Sequence, residues 1–169
     1  DSAQALGSKF KGRFAGTFGV SGSCSFYPSK TLGCFGDGGA VFTDDDHVAE
    51  QVRLMRDHGR SAVTGDVEIF GYNARLDNLQ AAILNVKLRR YDAEIARRRA
   101  IAHIYQDRLS GLEDIILPPA PDSEADHFDI FQNYEIEAGQ RDALRVFLDE
   151  EGVKTIIQWR GKTLHQFNA

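Results

Sequence analysis

Apolar and polar positions follow different rhythms along the chain, and each change of rhythm predicts an element. In residues 1–43 the apolar positions come in short runs broken by Gly and Ser. Cys24-Ser25-Phe26-Tyr27 and Gly39-Ala40-Val41-Phe42-Thr43 read as short strands separated by glycine turns. Over 44–58 the spacing becomes helical. Val48, Val52 and Met55 recur at three- and four-residue intervals, behind N-cap candidates Asp44, Asp45 and Asp46. A loop containing Gly59, Gly65 and Gly71 follows. From Asn73 onward helical spacing holds for about 35 residues. Leu76, Leu79, Ile83 and Val86 give one apolar stripe, and Tyr91, Ile95, Ile101 and Leu109 a second. That length predicts two helices or one bent connector, closed by Ser110-Gly111.

Beyond Gly111 the texture shifts. Ile115-Ile116-Leu117 is strand-like and Pro118-Pro119-Ala120-Pro121 is a rigid loop. An alternating strand is expected within Phe128–Glu137, an amphipathic helix over Gln140–Glu151 and another strand over Val153–Trp159. The expectation is therefore an α/β chain, with one unit over residues 1–110 and a small second one over 111–169. The sequence holds no internal repeat and no low-complexity segment.

Composition narrows the function classes. Hydrophobic residues make up 42% of the 169, enough for a core. The longest apolar runs fall far short of the roughly 20 residues that cross a bilayer, so a soluble, cytoplasmic protein without membrane contact is expected. The chain starts at Asp1 with no readable leader. A net charge of −5 argues against a nucleic-acid partner. The basic run Arg97-Arg98-Arg99 lies on a helical stretch near Asp92 and Glu94, and reads as a solvated face. Cys24 and Cys34 match no zinc or redox spacing and are expected as free thiols. The five histidines, His47, His58, His103, His127 and His165, lie far apart, so no metal is expected.

Gly36-Asp37-Gly38-Gly39 lacks the spacing and lysine of a nucleotide-binding loop, and reads as a turn that lets the backbone pass close to a neighbour. Lys30, in Ser25-Phe26-Tyr27-Pro28-Ser29-Lys30-Thr31-Leu32-Gly33, would on its own be a surface lysine. Its surroundings alter that reading. Asp1-Ser2-Ala3-Gln4-Ala5-Leu6-Gly7 precedes it; Gly36-Asp37-Gly38-Gly39-Ala40 and Gly71-Tyr72-Asn73-Ala74-Arg75-Leu76-Asp77, leading into Gln80-Ala81-Ala82, follow it.

These four blocks, in this order, resemble the later part of the DegT/DnrJ-type family of pyridoxal-phosphate-dependent sugar aminotransferases. The resemblance is specific over residues 1–85 and looser beyond. It implies the fold-type-I arrangement: a mixed, mostly parallel sheet between helices, plus a small C-terminal α/β domain. Residues 1–110 would then belong to the large cofactor-binding domain with its connector helix, and 111–169 to the small domain. It implies pyridoxal 5'-phosphate as cofactor and Lys30 as the residue that condenses with its aldehyde, forming the internal aldimine, and then shuttles a proton. An ordinary lysine amine, with a pKa of about 10.4, is a poor nucleophile at neutral pH. Burial or a nearby cation lowers that value.

By the same resemblance Asp1 faces the pyridine nitrogen, Gln4 lies near the ring hydroxyl and Ser25 contacts the phosphate. Asn73 would reach the phosphate from a partner subunit, which implies a homodimer with a shared active site. Arg75, Trp159 and His165 are substrate candidates, with a salt bridge equally open for Arg75; His58 reads as a helix-end histidine. The implied reaction is ping-pong transamination of a keto sugar nucleotide, with glutamate as the expected donor. Two other readings stand beside it. Sugar dehydratases of the same fold carry histidine where Lys30 stands. A non-catalytic regulatory relative would have lost the chemistry. Three departures remain: the family's earlier part and its final helix are missing, which points to a protein of about twice this size, and Val20 stands where an acid is common.

Overall fold

The computed structural model describes residues 1–168 as a mixed helix-and-strand structure. A hairpin opens it: β1 (Lys9–Phe10) pairs β2 (Arg13–Phe14) on one side and β6 (His127–Phe128) on the other. β3 (Ser21–Ser25) pairs β4 (Gly39–Thr43), with Ser25 opposite Gly39. Next come α1 (Asp46–Arg56), α2 (Asn78–Leu88), α3 (Tyr91–Leu109) and β5 (Ile115–Ile116). β7 (Glu137–Ala138) pairs β5, and α4 (Arg141–Glu150) follows. Two short 3-10 turns, Gln158–Gly161 and Leu164–Gln166, close the described chain. All four pairings are antiparallel, so the parallel pairings that the resemblance implies are not among them.

Local sequence explains most boundaries. Asp45 caps α1: its carboxylate accepts from the backbone N–H groups of His47 and Val48, at 2.9 and 3.1 Å. The long helical pattern divides into α2 and α3 at Arg89-Arg90, the first of the two alternatives that the pattern allowed. Phe128–Glu137 does not form one strand. Asp129 accepts from the Phe131 N–H at 3.0 Å, and Phe131 turns to φ 50°, which breaks the extended path. Val153–Trp159 forms no strand among the described residues; Trp159 and Arg160 take φ values of 50° and 57° there.

The core gathers Leu32, Cys34, Leu84, Tyr91, Ile95 and Ile130, with Leu6, Phe26, Leu76 and Phe128 packed against it. α2 turns Leu84 inward while Leu79 and Val86 stay largely exposed, so the inward stripe differs from the one read in the sequence. On α3 the inward face is Tyr91, Ile95, Arg99 and Ala102. The Tyr91 hydroxyl donates to the Leu6 carbonyl at 2.6 Å, and burial pushes its pKa up to about 12. Ile130, from the segment expected in the second unit, is fully buried in this core.

The arginine run is only partly a solvated face. Arg97 is exposed, but Arg98 donates to the Gln132 carbonyl at 3.0 Å. Arg99 is buried, donates to the Asp129 carbonyl at 2.6 Å, pairs with Asp122 and lies over the Phe128 ring. Consecutive residues on a helix point about 100° apart, so three in a row cannot share the solvent side. Ile130→Ala should lower stability by about 2–5 kcal/mol in denaturant unfolding, because its whole side chain leaves a cavity in a packed core. A loss under about 1 kcal/mol would mean that the 121–134 segment is not part of that core.

Candidate active site

The segment bearing Asp1 and Gln4 is tied directly to the strand that leads to Ser25. Ser2, fully buried, donates to the Ser23 carbonyl twice, from its N–H at 2.7 Å and from its hydroxyl at 2.8 Å. Asp1 is exposed beside it, one carboxylate oxygen accepting from the Ala3 N–H at 2.8 Å. Gln4 is also exposed, and its side-chain carbonyl accepts from the Asn133 amide at 3.4 Å.

Ser25 ends β3, half-buried, and its hydroxyl oxygen accepts from the Tyr27 N–H at 3.2 Å. That leaves the hydroxyl proton free to donate. Tyr27-Pro28-Ser29-Lys30 then makes a turn closed by the Lys30 N–H on the Tyr27 carbonyl at 2.8 Å, with proline at the position that favours it. Behind the turn sits Gly33, where a Cβ would come within 2.5 Å of the Tyr27 carbonyl oxygen and 2.7 Å of that of Pro28. Only glycine lets the backbone pass so close.

Lys30 is half-buried, and its amine enters no hydrogen bond or ion pair among the described residues. The loop around it is pinned from three directions. Gln132 accepts from the Thr31 N–H and hydroxyl, the Gln80 side chain accepts from the Phe35 N–H at 2.9 Å, and the Lys87 amine donates to the Gly33 carbonyl. Sequence reasoning missed Gln132 and Lys87 and gave Gln80 no role beyond its block; nothing local in the sequence shows which distant backbone group each side chain reaches.

Asn73 stands apart from this group. It is exposed, bridges Asp57 through the backbone and accepts from Arg75 Nε at 3.2 Å. Arg75 also pairs with Asp57 at 3.1 Å, so the salt-bridge alternative for Arg75 is the one present. The Arg60 guanidinium, 2.9 Å from Asp57, holds the Asp57 carboxyl below its ordinary value, and Arg75 and His58 add to the effect. His58 follows α1 with φ 61°. Trp159 is exposed and meets Phe167 edge-on at 6.2 Å. His165 is exposed and lies 3.1 Å from the Thr163 hydroxyl. Neither touches the Lys30 turn.

A concavity of about 800 Å³ lies elsewhere; Leu6, Phe14, Phe42, Leu88, Tyr91 and Phe128 are among the residues that line it. Its walls are mainly hydrocarbon and include none of Asp1, Gln4, Ser25, Lys30 and Asn73. Among the described residues no helix is long and apolar enough to cross a membrane, and no cluster of His, Cys, Asp or Glu is arranged to hold a metal.

Ser2 thus ties the segment that bears Asp1 to the strand that leads into the Lys30 turn, on a scaffold of mixed helix and strand. Residues 1–169 match the model of the DegT/DnrJ/EryC1/StrS aminotransferase family, and the chain belongs to that family. It is 41% identical over 160 residues to a dTDP-3-amino-3,4,6-trideoxy-alpha-D-glucose transaminase of Streptomyces venezuelae, covering 94% of this chain and 41% of that one. It is 40% identical over 161 residues to a "pleiotropic regulatory protein" of Geobacillus stearothermophilus, covering 94% and 42%. The fold superimposes with a TM-score of 0.90, at 38% identity, on the S. venezuelae enzyme DesV solved with a ketimine intermediate, covering 99% of this chain and 44% of that one. The chain thus spans less than half the length of these relatives.

Removing the guanidinium in Arg60→Ala should move the Asp57 pKa up toward the ordinary carboxylate value, read by NMR titration. Because the folded value is depressed, the stabilisation from Asp57 is present above the ordinary carboxylate pKa and fades as pH falls through the folded one. An unchanged Asp57 titration in the variant would contradict this cause.

Proposed function

We propose that the full-length protein is a pyridoxal-phosphate-dependent aminotransferase that converts a keto sugar nucleotide to an amino sugar nucleotide. Glutamate is the proposed donor, in a ping-pong scheme whose two half-reactions share one site. The observation that carries this reading is the half-buried Lys30 amine, unpaired among the described residues, on a turn five residues after Ser25, whose strand is tied to the segment holding Asp1. The sugar-nucleotide class follows the name of the S. venezuelae relative.

The residues suit the cofactor. Asp1 keeps one carboxylate oxygen free, Ser25 keeps its hydroxyl proton, and Gln4, its carbonyl engaged by Asn133, keeps its NH₂ as a donor. When bound, the cofactor supplies an electron sink for the carbon that loses or gains a proton. Lys30 would be the residue that holds the cofactor through its aldehyde and would carry the proton between the two reacting carbons. Asp1 would keep the ring nitrogen protonated, Gln4 would donate to the ring hydroxyl and Ser25 to the phosphate. Asn73, exposed and bonded to Arg75 rather than to the Lys30 turn, would serve the phosphate of a partner subunit in a homodimer. Trp159 and His165, both exposed, and Arg75 are proposed to meet the sugar nucleotide. Residues 1–110 are assigned to the large domain and 111–169 to the small one.

A dehydratase is disfavoured because Lys30 stands where those enzymes carry histidine. A regulatory, non-catalytic role is the second reading, favoured by the name of the G. stearothermophilus relative.

In the full-length protein, Lys30→Ala should lower amine transfer about a thousandfold or more, by loss of both nucleophile and proton carrier. A variant that keeps the wild-type rate overturns the assignment; a wild-type protein that transfers no amine with any donor favours the regulatory reading. Mixing Lys30→Ala and Asn73→Ala subunits should restore activity that neither variant has, because half of the hybrid's sites are intact. If mixing restores nothing while hybrids form, Asn73 does not act across subunits.

A further inference from the structure

The Lys30 turn is gripped by a side chain 101 positions beyond Thr31 in sequence, and we propose that Gln132 is a positioning residue for the Lys30 amine. The side-chain carbonyl of Gln132 accepts two hydrogen bonds from the residue next to Lys30: from the Thr31 N–H at 3.2 Å and from the Thr31 hydroxyl at 3.3 Å. Thr31 is buried, so water is a poor substitute for that acceptor. The Thr31 N–H belongs to the peptide group that begins at the Lys30 carbonyl. Holding it fixes the Lys30 backbone and hence the direction in which the side chain leaves.

Gln132 is itself held. Arg98 on α3 donates to its backbone carbonyl at 3.0 Å, and Arg98 is fixed in turn by Glu94 at 3.0 Å. Phe131, buried at φ 50°, and Asn133, whose amide reaches Gln4, flank it. The 129–133 segment therefore meets the site at two points, Thr31 and Gln4. The other tethers of the loop, Gln80 on Phe35 and Lys87 on Gly33, hold positions three to five residues beyond Lys30. Of these three tethers, Gln132 is the one that holds the peptide following Lys30, while the Lys30 N–H closes the turn on the preceding side.

The role rests on the function proposed above, in which the Lys30 nitrogen bonds to the aldehyde carbon while the aldehyde oxygen leaves as water. A lysine free to swing would still react, but more slowly, since displacement of a reacting group by about 1 Å can cost up to about a hundredfold in rate.

The test is the rate at which full-length apoprotein captures pyridoxal phosphate, followed by absorbance and checked by borohydride fixation to Lys30. Gln132→Leu, which keeps size and loses the acceptor, should slow capture about tenfold or more. Gln132→Glu, which retains accepting oxygens, should stay within about threefold of wild type. Ile130→Val loosens the nearby core without touching the turn, and should leave the rate unchanged. Should Gln132→Leu fail to fold, Thr31→Val, which deletes only the hydroxyl bond, should still slow capture about fivefold. Equal rates for wild type and Gln132→Leu, or an equal slowing in Ile130→Val, overturn the positioning role alone. A wild-type protein that fixes no cofactor to Lys30 overturns the role together with the function on which it rests.

Discussion

Two hydrogen bonds from Ser2 to the Ser23 carbonyl are the constraint on which the site depends. They dock the opening segment against β3, and β3 in turn delivers Ser25 and the Lys30 turn. That seam ties Asp1 and Gln4 to the strand that carries Ser25. The seam also needs small residues nearby. A Cβ at Gly22 would meet the Gly16 carbonyl oxygen at 1.9 Å, and one at Gly16 would meet the Ser2 hydroxyl at 2.9 Å. The glycines of this region thus serve close approach of backbone to backbone, and the chemistry-bearing side chains are placed by that closeness.

A second seam joins distant parts of the sequence. Arg98 and Arg99 reach from α3 to the carbonyls of Gln132 and Asp129, Ile130 fills the core beside Leu84 and Ile95, and β6 completes the β1–β2 ribbon. An arginine this buried must have its donors satisfied, and Arg99 does so with a carbonyl, the Asp122 carboxylate and the face of Phe128. The rigid part of the molecule therefore includes the 121–134 segment, and the Lys30 turn is held by it.

Much of this was legible in the sequence. Period and an aspartate cap marked α1, period marked α4 and the helical character of the α2–α3 stretch without its break, and four glycine-bearing blocks pointed to the family to which the chain belongs. What failed depended on long-range partners. The Phe128–Glu137 alternation looked like a strand, yet an Asp129 turn and the left-handed Phe131 interrupt it. Val153–Trp159 had strand-like residues but no neighbouring strand to pair with. The arginine run looked solvated because local charge cannot reveal carbonyls supplied from thirty residues away. Gln132 was invisible for the same reason: its importance lies entirely in reaching Thr31.

The central claim is that one amine among the lysines, that of Lys30, takes the cofactor. Peptide mapping by mass spectrometry, after borohydride reduction of the full-length protein incubated with pyridoxal phosphate, tests it most directly. The account predicts that the mass of the reduced cofactor falls on the peptide containing Lys30 and on no other. A label spread over surface lysines, or placed on a different lysine alone, would contradict it.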